Sequence, residues 1–98
     1  MKRIKENEKR LDKLNSIITN LEKDLDELEQ NIKAYQQLNN YYGSKKWFKD
    51  KENFEKGKFS GIKAGVLSED AVWLLDEKTS DLIIQMSRII NQFNQGKM

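Results

Sequence analysis

Cysteine, histidine and proline are all absent from this chain of 98 residues, and glycine occurs only five times. Without cysteine there are no disulfides and no thiolate metal sites, a composition that suits a reducing compartment. Without histidine as well, the commonest general bases, nucleophiles and soft metal ligands are missing. Any catalysis would fall to carboxylates, lysines, tyrosines and serines. No run of apolar residues reaches 18, and no apolar stretch follows the basic start Met1 to Lys5. Neither a membrane span nor a signal peptide is therefore expected, and the cytoplasm is the expected location. The net charge is only +2, which gives the chain as a whole little pull on nucleic acids or membranes. With 37% hydrophobic and 35% charged residues, the chain is expected to form one domain over residues 1–98 with a modest core.

What the chain does have is two apolar stripes spaced alternately three and four residues apart. The first is Leu11, Leu14, Ile18, Leu21, Leu25, Leu28, Ile32 and Tyr35; the second is Val72, Leu75, Thr79, Leu82, Met86, Ile89 and Phe93. A repeat of 3.5 residues held for more than three turns indicates coiled-coil-like helix packing, not a strand. The missing proline lets the first stripe run in one long helix over residues 2–41, closed by Tyr41, Tyr42 and Gly43, with Gly43 as a left-handed C-terminal cap. Glu6 with Arg10 and Glu29 with Lys33 are favourably ordered i,i+4 pairs. The second long helix is expected over residues 68–95, opened by the Ser68 hydroxyl with Glu69 and Asp70 at the positive end of its dipole. Trp73, Leu74, Ile83 and Ile90 widen its apolar face.

The connector between them is too long to be structureless in a compact domain and holds Trp47, Phe48, Phe54 and Phe59. Ser44 can cap a short helix over residues 44–55, with Trp47 and Phe54 on one face, followed by a Gly/Lys-rich return over residues 56–67 broken at Gly57, Gly61 and Gly65. The expected fold is all-α: an antiparallel long-helix hairpin with a short third helix forming an aromatic cap in the connector.

Three runs of residues, Tyr41-Tyr42-Gly43-Ser44, Trp47-Phe48-Lys49-Asp50 and Gly65-Val66-Leu67-Ser68-Glu69-Asp70-Ala71-Val72-Trp73, together resemble the signature of a family of small uncharacterised bacterial proteins, a domain of unknown function common in Gram-positive genomes. The resemblance covers most of the chain, and the run from Gly65 to Trp73 is its most specific part. It implies an all-helical fold and supplies no activity, ligand or catalytic residue. The lysine-rich connector departs from the acidic character expected of relatives.

Candidate chemistry is sparse. Glu22, Asp26 and Glu29 share a helical face and could hold Mg²⁺ in a carboxylate-metal hydrolase, but Asp76, Glu77 and Asp81 offer no matching second set, so a solvated acidic face is the stronger reading. Gly57-Lys58-Phe59-Ser60-Gly61 is only distantly like a phosphate loop: Glu52 stands where that motif needs glycine, and no strand precedes it. The connector sets Lys45, Lys46, Lys49, Lys51, Lys56, Lys58 and Lys63 against Asp50, Glu52 and Glu55, interleaved with aromatics as in single-strand binders. Arginine, which leads in phosphate and base recognition, is nearly absent beyond residue 10. Trp73 is expected to fill the junction of the helices, and Trp47 to be the exposed anchor beside the lysines. The chain is thus expected to be a non-enzymatic, cofactor-free protein-interaction module: an adaptor, or a small inhibitor of the kind phages and mobile elements encode. Its partner is another protein, a second copy, or both, with nucleic acid as the lesser alternative and no membrane. The candidate partner-binding residues are Tyr41, Tyr42, Lys45, Lys46, Trp47, Phe48, Lys49 and Lys51.

Overall fold

The structure is a computed structural model and describes residues 1–96. The fold is all-α. Helix α1 spans Lys2–Gln30, α2 Ile32–Tyr41, α3 Lys45–Glu55 and α4 Ala71–Gly96, with a single 3-10 turn at Gly65–Leu67 before α4. The long helices at either end and the short third helix in the connector are the elements the sequence predicts. The helix expected over residues 2–41 is interrupted at Asn31, whose backbone sits at φ −108°, ψ 7°. Its side-chain Nδ2 donates to the Glu27 carbonyl at 2.7 Å, and its backbone N–H donates to Leu28 at 3.0 Å. The backbone thus switches to a bond three residues back at this one position, without glycine or proline. The chain divides into two compact units, Met1–Gln37 and a second that begins at Leu38.

In the first unit α1 buries no residue. Its apolar stripe from Leu11 to Leu28, continued by Ile32 at the start of α2, is between 42% and 56% exposed at every leucine and isoleucine. The pairing of Glu6 and Arg10 gives way to local alternatives. Lys2 Nζ approaches Glu6 at 4.0 Å, and Arg10 Nη1 donates to Asn7 Oδ1 at 3.1 Å.

The second unit holds the buried apolar side chains of the described residues: Trp47 on α3, Leu67 in the 3-10 turn and Val72 on α4. Both α3 and α4 pack on that turn. Gly43 ends α2 at φ +78°, the left-handed backbone that carries no Cβ penalty in glycine. Ser44 follows as N-cap of α3, its Oγ accepting from the Trp47 N–H at 3.2 Å. Ser68 acts in the same way slightly ahead of α4: its Oγ accepts from Ala71 N–H at 3.2 Å, and the helix begins at Ala71 instead of Ser68 itself.

Candidate functional site

Helix α3 sorts the candidate residues onto two faces. Trp47 lies on the inner face and is only 4% exposed. Its indole Nε1 donates to the Val66 carbonyl at 2.9 Å, so the polar edge of a buried ring is satisfied by the backbone just inside the 3-10 turn. Tyr42 meets it edge-on at a centroid distance of 5.1 Å, and Phe48 does so at 4.9 Å. Lys51 Nζ sits 5.2 Å from the centre of the Trp47 ring while donating to Glu69 Oε1 at 3.0 Å. Its cation is therefore held by a ring face and a carboxylate together. The Tyr42 hydroxyl donates to the Glu69 carbonyl and ties the end of α2 to the segment before α4.

Tyr41 turns to the other side of this cluster. Its hydroxyl donates to Asp50 Oδ2 at 2.6 Å. The hydrogen bond to the carboxylate, partial burial and the nearby negative charge push the phenol up to about 12, because each disfavours a second anion there. Tyr41 and Asp50 line an open depression of about 230 Å³, walled by Phe59, Ile62, Val66 and Leu67 with Lys63 beside them.

On the outward face of α3, Lys45, Lys46, Phe48 and Lys49 are exposed, Phe48 at 61%. Further along, Lys56 Nζ donates to Glu52 at 2.9 Å and holds that carboxyl below its usual range. Trp73, expected in the helix junction, is 57% exposed on α4 beside Asp76, Glu77 and Asp81, where it lines a second, shallow depression. The two tryptophans thus exchange the places expected of them: Trp47 is the core residue and Trp73 the exposed one. Burial of Trp47 follows from its bond to Val66, 19 residues away, which no local pattern announces.

Of the eight candidates, Tyr42, Trp47, Phe48 and Lys51 meet in one aromatic cluster and Tyr41 is bonded to Asp50 beside it, while Lys45, Lys46 and Lys49 are exposed. Asp50, Val66 and Glu69, whose bonds to Tyr41, Trp47 and Lys51 hold these side chains, stand in the runs quoted from the sequence but are not among the candidates. Among the described residues no three or more acidic side chains converge as metal ligands, so Glu22, Asp26 and Glu29 are not brought together as a cation site. Nor is any helix long and apolar enough to cross a membrane.

A family model described as a domain of unknown function, DUF4298, matches residues 4–89 and so takes in nearly all of α1, the aromatic cluster and most of α4. The chain belongs to DUF4298. Among curated proteins and among solved structures, nothing matches it. Membership of DUF4298 assigns no activity, so what this chain can do is read from its own surfaces.

Proposed function

We propose that the chain is a non-catalytic protein-interaction module, an adaptor or small inhibitor, whose main docking face is the apolar stripe of α1. The observation that carries this reading is a 29-residue helix with a regular leucine and isoleucine stripe and no buried residue. Contiguous apolar surface of that kind is costly in water and marks an interaction face; at heptad spacing its natural complement is another amphipathic helix. The aromatic cluster serves as a rigid end piece, with Phe48 as its outward contact. The nucleic-acid alternative is weaker because its best stacking residue, Trp47, is buried and Lys51 is committed to Glu69.

The test compares the full chain with Leu14→Asp and Leu25→Asp in affinity capture under native conditions, alongside fluorescence anisotropy with labelled single-stranded DNA and RNA. A protein partner, identical or different, held by the natural sequence and lost by both variants is the expected result. Micromolar nucleic-acid affinity at physiological salt, lost when Lys45, Lys46 and Lys49 become Gln, would replace this reading.

A further inference from the structure

The charges along α1 are sorted by sign. Residues 2–13 hold six cations against three carboxylates, and residues 19–30 hold one cation against five carboxylates. Two such helices side by side in parallel set like charge against like, whereas an antiparallel pair sets each basic third on an acidic third. The stripe also reads nearly the same in both directions. With Ile4, Leu11, Ile18 and Leu25 at one seam position and Asn7, Leu14, Leu21 and Leu28 at the other, an antiparallel copy centred at Ser16 places Leu11 on the partner's Leu21, Leu14 on the partner's Ile18 and Ile4 on the partner's Leu28. Asn7 then faces the partner's Leu25 at each end of the seam, with its amide already bonded to the Arg3 carbonyl and to Arg10. On one flank Arg10 faces the partner's Asp24, and Ile17 meets the partner's Ile17. The other flank sets Glu8 near the partner's Glu22, a solvated like-charge contact outweighed by the complementary thirds. Because the arrangement is two-fold symmetric, every contact between different residues occurs twice, and Ile17 meets its own copy on the axis. Helix α4 carries only Lys78 and Arg88 against Asp76, Glu77 and Asp81, so it has no surplus of cations to offer an acidic stretch.

We propose that the occupant of the α1 stripe is α1 of a second copy of this chain, in antiparallel register with Arg10 opposite the partner's Asp24. This rests on the reading of α1 as an interaction helix and names its partner. The stripe supplies affinity, and the segregation of charge supplies direction.

The decisive experiment uses two full-length charge reversals, Arg10→Glu and Asp24→Arg, in sedimentation velocity. Each alone places like charges on both copies of the flanking pair and is expected to weaken dimerisation about tenfold. An equimolar mixture forms a heterodimer in which both pairs are opposite in sign again, so it should recover the affinity of the natural sequence. The absence of native cysteine allows a spin label at Lys5→Cys, and the antiparallel register puts the two labels roughly 33 Å apart along the axis, against under about 20 Å for a parallel pair. Failure of the mixture to recover affinity, or the short label distance, overturns the proposal. So does a monomer up to high micromolar concentration. In that case Leu21→Asp separates the two claims: loss of helicity or of capture of a different protein means that α1 is an interaction helix with another occupant, such as α4 of the same chain, and no effect on either means that the stripe is not an interaction face.

Discussion

Replacing Trp47 by alanine should undo the aromatic cluster, whereas the same change at Trp73 should pass almost unnoticed. Trp47 is 4% exposed, bonded through Nε1 to Val66 at 2.9 Å and met edge-on by two rings, while Trp73 is 57% exposed. Truncating a buried tryptophan costs about 3–5 kcal/mol through lost transfer energy and an unfilled cavity. An exposed side chain away from such packing changes stability by about 0.5 kcal/mol or less. Trp47→Phe retains most of the ring but strands the Val66 carbonyl, for about 1–3 kcal/mol. Since the buried apolar side chains of the described residues are Trp47, Leu67 and Val72, a loss of this size is a large fraction of the roughly 5–15 kcal/mol typical of a folded domain. In urea unfolding followed by far-UV circular dichroism, with a slope of about 1 kcal/mol per molar for so small a unit, Trp47→Ala should lower the midpoint by about 3 M or abolish the cooperative transition. Trp73→Ala should leave it within about 0.5 M. A Trp73→Ala cost equal to or above that of Trp47→Ala would refute the assignment of the core.

Three further outcomes are expected. The alkaline absorbance titration at 295 nm should contain a late component near pH 12 that Tyr41→Phe removes and Asp50→Asn moves toward 10; because the folded phenol holds its proton more tightly than the unfolded one, the stability it contributes is whole below about pH 10 and is lost as the pH rises toward 12. Gly43→Ala should cost about 1 kcal/mol in thermal unfolding through its φ of +78° alone, since an added Cβ meets nothing within 4 Å, while Gly65→Ala, at an ordinary backbone angle, should cost clearly less. Ser44→Ala should destabilise the second unit by about 1 kcal/mol, read as a lower urea midpoint, by freeing the Trp47 N–H at the start of α3.

The parts of the fold that follow from local chemistry were legible in the residues. Heptad spacing marked the long helices, Gly43 marked the end of α2, and Ser44 marked the start of α3, each because the cause lies within a few residues of its effect. The break at Asn31 was not, since Asn7 makes the same side-chain bond to the carbonyl four residues back without ending α1. Nor were the opposite fates of the tryptophans, for Trp47 is set by Val66 and Tyr42, and Tyr41 by Asp50, through contacts formed only once the chain has turned back on itself. Aromatics and lysines are dense from Tyr41 to Lys51. Their spacing does not separate the side chains that build the cluster from those, such as Lys45 and Lys49, that face outward. The stripe of α1 was plain in the sequence as a seam, and the structure adds that no residue of that helix is buried.

The central claim, that this stripe is a face held against another helix, is tested most directly by amide hydrogen exchange across residues 11–28 in the full chain at tens of micromolar. An isolated helix of this length frays and exchanges quickly in water, whereas a helix with its seam covered does not. Slow exchange over residues 11–28, collapsing in Leu21→Asp while the amides of α3 stay protected, is the predicted result; exchange over residues 11–28 at unstructured-peptide rates in the natural sequence, or protection untouched by Leu21→Asp, would contradict it.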